Sequence, residues 1–205
     1  PHQLLEGMIL GAYAVDATEA IIFLRWEYTL AGKRLRKAIA EAYGRNYLGK
    51  NILGTDFSLD LHLHSSMGRY ICGEGSALVN SLMGKRAVPN YKQPRQTESG
   101  LWGKPTVMNN VETLCNIPHI VARGPEWYKG LSRTKDGGTK IYGVSGRVKN
   151  PGKWELPMGT SAREIIEEHA GGMREGYKLR AFMPGGGSTE FLLEEHLDLA
   201  MDFES

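Results

Sequence analysis

The spacing of hydrophobic residues along the first 64 positions changes from one segment to the next. Residues 4–15 are apolar and rich in small side chains, which predicts a closely packed buried helix. Residues 20–25 form a short apolar run, typical of a strand that is covered on both faces in a parallel sheet. Residues 30–47 repeat at the helical period, whereas residues 57–64 alternate like a half-buried strand. This order predicts an α/β layer whose ligand lies beyond the carboxyl ends of the strands.

A glycine-rich turn, residues 68–78, follows the second predicted strand and leads into a helix. Gly73 and Gly75 lack a Cβ atom, so their backbone can approach a ligand closely. The amides at the start of such a helix are suited to a phosphate. A plain structural turn is the commoner reading of the same pattern.

A long basic loop connects this turn to a second polar segment, residues 103–114. Its prolines predict an extended, irregular path, and a loop of this length is usually functional or partly disordered. Asn109 and Asn110 offer amide donors and carbonyl acceptors that can read the edge of a flat heterocycle. Residues 111–121 then predict a helix. The two segments together indicate nucleotide or flavin binding.

The pattern after residues 134–138, a predicted linker, is that of a smaller module. A hairpin, a helix and a further strand follow in that order, at residues 139–148 and 153–157, 162–169, and 179–183. Ser161 is the predicted cap of the helix, with Glu164 as its partner. This order predicts a β-grasp (ubiquitin-like) fold. We therefore expect two domains, 1–136 and 137–205; the glycines at 185–187 predict a tight turn or, less commonly, a binding loop.

Composition narrows the possible classes of protein. The 205 residues are 41% hydrophobic and 23% charged, as in ordinary globular proteins. The longest apolar stretch is interrupted by Asp16 and Glu19, which predicts no membrane span. Two cysteines, Cys72 and Cys115, exclude a disulfide framework and a cluster bound by four cysteines of this chain, and they indicate a reducing compartment.

Charge is distributed unevenly along the chain. Residues 1–150 carry 20 Lys and Arg against 12 Asp and Glu, whereas residues 151–205 carry 5 against 11. The basic part favours an anionic ligand, although a solvated basic face accounts for the same count. His62 and His64 lack further ligands at metal spacing, so a solvated strand face is the better interpretation.

The two polar segments resemble the corresponding segments of a known family. Residues 68–78 and 103–114, with residues 6–8 and 145–152, resemble the flavoprotein subunit of bacterial respiratory NADH:quinone oxidoreductases (complex I), and the similarity covers nearly the whole chain. The resemblance implies a Rossmann-like α/β portion that binds FMN and NADH, followed by a β-grasp domain of the SLBB type.

The resemblance also implies a site and a reaction. Hydride would pass from NADH to FMN, and electrons would then move to iron–sulfur clusters of partner subunits. The family pattern of the flavin region falls on seven residues: Gly68, Tyr70, Gly73, Glu74, Asn109, Asn110 and Thr113. Lys92 matches a basic residue on the NADH side. No residue need act as a nucleophile or general base, because the transfer requires alignment of two rings.

Several departures from the family pattern fall within this site. Gly75 replaces a second carboxylate, Arg95 and Gln96 stand in a segment that otherwise carries an aromatic residue, and Trp26 replaces a glycine. Ser66 and Met67 are expected to put side chains where backbone should approach the flavin. Loss of a carboxylate and gain of Arg95 also predict a relaxed rejection of NADPH, which a kinetic comparison with NADH would test.

Three functions remain open on these residues: the respiratory flavoprotein subunit, the diaphorase subunit of a hydrogenase or formate dehydrogenase, and a non-catalytic variant. The start at Pro1 is what a fragment would show. The family's N-terminal flavin loop and the cysteine ligands of its 4Fe–4S cluster have no counterpart here, so the isolated chain is expected to bind FMN weakly and to be inactive. We expect a cytoplasmic protein, peripheral to the inner membrane through partner subunits, without nucleic-acid binding.

Overall fold

A computed structural model describes residues 1–91, 94–187 and 189–203, which form two compact units, Pro1–Pro118 and His119–Ser205. The first unit contains, in chain order, α1 (His2–Ala14), β1 (Glu19–Arg25), α2 (Thr29–Gly44), β2 (Asp60–Ser66) and α3 (Gly75–Leu82). The next helix, α4, spans Val111–Arg123. The second unit continues with α5 (Pro125–Gly130), β3 (Thr139–Val144), β4 (Gly152–Pro157), α6 (Ala162–Glu164), β5 (Ala181–Phe182) and β6 (Leu192–Leu193).

A parallel pair of strands forms the centre of the first unit. β1 pairs with β2 from Glu19 opposite Asp60 to Arg25 opposite Ser66. Ile22 of β1 and Leu61 of β2 are buried together with apolar side chains of α1 and α2. Each such buried Leu or Ile contributes about 1.5–3 kcal/mol. The predicted order of helix, parallel strand, helix and strand is confirmed, and β2 begins at Asp60 instead of residue 57.

Helix α1 lies very close to α4. A Cβ atom at Gly7 would overlap the backbone carbonyl group of Leu114, so only glycine permits this approach. The side-chain amide of Gln3 also donates to the carbonyl oxygen of Cys115, at 2.7 Å. α1 therefore supports the first turns of α4, where the second polar segment ends.

The second unit has its own core. β3 and β4 form an antiparallel hairpin with Tyr142 opposite Trp154. Helix α6 begins at the predicted cap, because the hydroxyl of Ser161 accepts from the amide of Glu164 at 3.2 Å, and it continues as a π-helical turn, Ile165–His169. The Glu164 side chain pairs with Arg133, so the reciprocal half of the predicted capping box is absent. The predicted order of hairpin, helix and strand is confirmed.

The boundary between the two compact units falls between Pro118 and His119. In the second unit, the amide of Arg133 donates to the carbonyl oxygen of Met158 at 2.9 Å, and that of Gly138 donates to Tyr128 at 2.8 Å. The segment that precedes β3 is thus bonded to the second unit. The sequence-based boundary, with domains 1–136 and 137–205, stays a prediction.

Candidate functional site

The two polar segments meet beside Gly75, the first residue of α3. A Cβ atom at Gly75 would lie 2.6 Å from Cε of Met108 and 2.8 Å from the side-chain nitrogen of Gln96. Both distances are shorter than a real Cβ contact, so a side chain at position 75 would require the flexible ends of Met108 and Gln96 to move aside. Met108 directly precedes Asn109, and Glu74 directly precedes Gly75, so the contact brings the two halves of the predicted site together.

The start of α3 is occupied by its own carboxylate. Glu74 is the N-cap, and its side chain accepts from the amides of Ser76 (3.1 Å) and Ala77 (2.9 Å) and from the Ser76 hydroxyl (2.6 Å). The Ser76 hydroxyl, followed by these amides, lowers the pKa of the Glu74 carboxyl. The expectation that these amides suit a phosphate is therefore wrong: two of them are taken, and the carboxylate would repel an anion.

A chain of hydrogen bonds fixes the beginning of the basic loop on α3. The hydroxyl of Ser76 accepts from the amide of Asn90 at 2.8 Å. The buried side-chain amide of Asn80 donates to the carbonyl oxygen of Val88 at 2.8 Å and to the side-chain oxygen of Asn90 at 2.9 Å. The loop is irregular as predicted, yet its first residues are held by specific bonds.

The start of α4 differs from that of α3. The side-chain oxygen of Asn110 accepts from the amide of Glu112 at 2.8 Å, which leaves the Asn110 NH₂ group available. Asn109 and Thr113 are exposed, and neither side chain bonds to any residue that the structure describes. This helix end therefore presents neutral donors and carries the positive end of a 13-residue helix dipole.

Tyr70 and Gly73 lie on the short helical turn that precedes α3. The side chain of Tyr70 is 85% exposed, and its hydroxyl has no partner within the described ranges. A Cβ atom at Gly73 would meet nothing within 4 Å, so the backbone there faces open space. Both features leave room for a flat ligand beside this turn.

Gly68 is placed against protein and not against open space. It has φ of +73°, and a Cβ atom there would overlap the carboxylate of Glu27, which pairs with Arg25 at 2.8 Å. Ser66 also differs from expectation, because its buried hydroxyl accepts from the Gly68 amide at 3.3 Å. Of the two residues before Gly68, only Met67, which is 82% exposed, projects into solvent.

Some functional neighbours were not predicted from the sequence, and one predicted residue cannot be placed. Lys92 lies outside the described residues. Met108 and Glu27 reach the site through tertiary contact, and no local pattern marked them. Gln96 was noted only as a departure from the family pattern. Ser76 carried no such signal either, because Glu is not among the usual N-cap residues.

Potential metal ligands do not cluster in the described residues: within residues 1–91, 94–187 and 189–203, no three or more His, Cys, Asp or Glu side chains converge. His62 pairs with Glu19 at 2.8 Å, and His64 stacks on Phe23 with ring centroids 5.3 Å apart. Burial raises the pKa of the half-buried Cys115 thiol.

Fold and site together define an α/β unit with a polar ligand-binding edge, followed by a small β-grasp unit. A family model described as the Nuo51 FMN-binding domain matches residues 1–119, and one described as the SLBB domain matches residues 141–192. The first match covers more than half of the chain. The chain belongs to the Nuo51 FMN-binding domain family.

Curated relatives agree with this assignment. The F subunits of the NADH-quinone oxidoreductases of Salmonella typhimurium strain LT2 and Escherichia coli strain K12 are each 60% identical over 205 residues. The match covers 100% of this chain and 46% of each relative. The chain thus spans about half the length of the curated relatives it matches.

Solved structures share the fold. An NAD⁺-reducing [NiFe]-hydrogenase in the H₂-reduced state is similar with a TM-score of 0.84 at 33% identity, and the match covers 100% of this chain and 34% of that chain. The air-oxidised state gives a TM-score of 0.82 at 33% identity, covering 98% and 33% respectively.

The donor set of the site fits FMN in part. Asn109, Thr113 and Tyr70 are exposed polar side chains without protein partners in the described part of the chain, and Gly73 faces open space. A flavin needs such donors and an unobstructed backbone. Glu74, by contrast, is committed to its own helix.

Proposed function

We propose that this chain contributes the FMN-binding and NADH-binding region of the flavoprotein subunit of an NADH:quinone oxidoreductase. The contact of Met108 and Gln96 with Gly75 is the observation that carries this proposal, because it joins the segments that bear Glu74 and Asn109. The family membership supports it, as does the similarity to F subunits of NADH-quinone oxidoreductases.

The residues of this chain would act by binding and orientation. Asn109 and Thr113, at the positive end of α4, would hold the polar tail of the flavin through neutral donors. Tyr70 and the open backbone at Gly73 would lie against the ring. FMN, when bound, supplies the conversion from two-electron to one-electron transfer.

Glu74 would serve the same site indirectly. Its carboxylate is fixed by three donors, so its position is set before any ligand binds. A preorganised negative charge at this place would exclude anionic groups and direct a phosphate toward α4. Gly68, packed on Glu27, would shape the turn that presents Tyr70. Lys92 remains a proposed NADH-side residue on the strength of the resemblance.

Partners and location follow from the same proposal. Electrons would leave to iron–sulfur subunits of an NADH dehydrogenase complex, and the protein would be cytoplasmic and peripheral to the inner membrane through those partners. In the part of the chain that the structure describes, no helix is both long and apolar enough to cross a membrane.

A chimera provides the test. This chain would replace the matching segment of the Salmonella relative, to which it is 60% identical, and the complex would be assayed for FMN content and NADH–ferricyanide turnover. We expect retained flavin and measurable turnover with NADH. An assembled, folded chimera without flavin would contradict the proposal and favour the non-catalytic variant.

The diaphorase function is the second candidate, since the hydrogenase structures match the whole fold. If this function is correct, the same chimera should reduce NAD⁺ with an artificial electron donor at a rate similar to its rate of NADH oxidation. A parallel assay with NADPH tests the relaxed cofactor selectivity expected from Gly75 and Arg95, and a strong preference for NADH would reject that expectation.

A further inference from the structure

A groove in the second unit shares no lining residue with the flavin region. It has a volume of about 570 Å³ and is bounded on one side by residues 140–148 and on the other by residues 178–184. One residue of a β-strand occupies about 3.3 Å along the chain, 4.8 Å between strands and 10 Å through the sheet. The groove therefore holds about three to four residues of an extended chain.

One wall of the groove includes backbone groups that form no hydrogen bond in the described chain. β5 forms a two-stranded sheet with β6, and the segment just before it, residues 178–180, makes no hydrogen bond from its backbone to another residue of the described chain. Extended backbone with unused donors and acceptors is a template for the addition of a further strand. A compact ligand would not use such an edge.

Apolar side chains line the groove between its walls. Ile165 and Ile166 of the π-helical turn lie below, whereas Ile141 and Phe191 are 57% and 67% exposed at the sides. An exposed apolar lining next to a strand edge favours an occupant with apolar side chains at alternate positions.

The charged residues of the groove are all basic. Lys140, Arg147, Lys178 and Arg180 line it, and no Asp or Glu does so among the residues described. Lys140 lies over the ring of Phe203 at 5.1 Å, and Arg147 lies over the ring of Tyr177 at 5.0 Å. Arg147, Lys178 and Arg180 form no ion pair within the described ranges.

Two other arginines of the unit, Arg133 and Arg163, form ion pairs within it. Arg163 binds Asp198 through two nitrogens, at 2.6 and 2.9 Å, and Arg133 binds Glu164. Residues 151–205 carry 11 acidic and 5 basic residues, so acidic partners are abundant, yet Lys178 and Arg180 remain without them in the described chain. The groove is a basic surface within an acidic region, which calls for an acidic partner.

We propose that this groove binds an extended peptide segment of a partner protein, in which acidic and apolar side chains alternate. The segment pairs with the backbone edge of residues 178–182, its apolar side chains enter the groove, and its carboxylates meet Arg147, Lys178 and Arg180. This binding is independent of the flavin site.

Fluorescence anisotropy with the full 205-residue chain tests the proposal. The probe is a labelled octapeptide of alternating Glu and Val; its counterparts carry Lys for Glu, or a central Pro for Val. We expect the acidic peptide to bind, the proline peptide to bind at least about tenfold more weakly because it lacks an amide donor, and the lysine peptide not to bind. Equal binding of the proline peptide would overturn the strand-addition mode.

Variants locate the binding. The double substitution K178E/R180E should weaken the acidic peptide at least about tenfold, whereas K153E, on the exposed face of β4 outside the groove, should change it less than about twofold. Peptide binding should also slow hydrogen exchange at residues 178–182. The proposal would be overturned by equal losses in the two variants or by unchanged exchange at these residues. Displacement of the peptide by single-stranded DNA of equal charge would also overturn it. Thermal unfolding checks that all variants are folded.

Discussion

Two helix starts within the candidate site differ in how they satisfy their first amides. α3 begins with Glu74, whose carboxylate accepts from two amides and a hydroxyl. α4 begins with Asn110, a neutral cap that engages the amide of Glu112 alone. The helix after the glycine-rich turn was the expected anion site, yet the negative charge there belongs to the protein. A glycine-rich turn therefore indicates close backbone approach and does not by itself identify which helix receives an anion.

The largest expected effect comes from removing the support of α4. In G7A, the added methyl group would overlap the Leu114 carbonyl, so α1 and α4 must separate. We expect a loss of about 3 kcal/mol in the free energy of unfolding, because backbone cannot move aside as a side-chain end can. Urea unfolding measures it.

Gly11 provides the matched control on the same helix. A Cβ atom there would lie 3.8 Å from Cδ2 of Leu114, an ordinary contact. G11A should be neutral or stabilising by up to about 1 kcal/mol, since alanine favours helix. Similar destabilisation by both substitutions would contradict the close-approach argument.

The next effect concerns the junction of the two segments. G75E should destabilise the chain by about 1 kcal/mol, because the ends of the Met108 and Gln96 side chains occupy the space of the new side chain and must move aside. M108A in the same chain should recover at least half of that loss, since it removes the nearest atom. A double-mutant cycle by urea unfolding measures this coupling.

G73A is the control for G75E, because Gly73 lies two residues away and has open space around it. Its Cβ atom would meet nothing within 4 Å, so the free energy of unfolding should change by less than about 0.5 kcal/mol. Additive effects of G75E and M108A would show that the two positions do not share space.

At the start of α4, substitutions should weaken FMN binding without changing the free energy of unfolding. N109A and T113A should each weaken FMN binding about tenfold, the value of one lost hydrogen bond, without changing stability by more than about 0.5 kcal/mol. Flavin fluorescence titration of the chimera measures the affinity. Asn116, whose side chain donates to the carbonyl oxygen of Glu112 at 3.1 Å, is the control, and N116A should leave FMN affinity unchanged.

The smallest effect is expected at Glu74 and depends on pH. The pKa of its carboxyl is lowered from about 4.5 in the folded chain, so the ionised cap stabilises above that value. E74Q should cost about 1 kcal/mol at pH 7, and the difference from the parent should shrink as the pH falls below about 4.5. Thermal unfolding across pH measures it. A difference between E74Q and the parent that grows as the pH falls below about 4.5 would reject the capping role.

Local patterns predicted most elements of the fold. The apolar run at residues 20–25 and the alternation around Leu59 and Leu61 are one-dimensional signals, and both became strands of the parallel pair. The contact between Gly7 and Leu114 joins residues more than a hundred positions apart, and no local pattern encodes it. The same holds for Gln96 and Met108 beside Gly75.

The candidate site was predicted less completely than the fold for the same reason. Residue types identified Asn109, Thr113 and Tyr70 as polar groups, and the structure leaves them exposed. Whether Glu74 turns toward a ligand or its own helix depends on a side-chain rotamer and on Ser76, which composition does not decide. Ser66 likewise turned inward, to bond Gly68.

The crowding beside Gly75 constrains the order in which descendants of this sequence can change. A larger residue at position 75 is accommodated only if the ends of Met108 and Gln96 move aside, and a smaller residue at either of those positions relieves this crowding. The three positions are therefore expected to diverge as a linked group, and the history of one of them restricts the options of the other two.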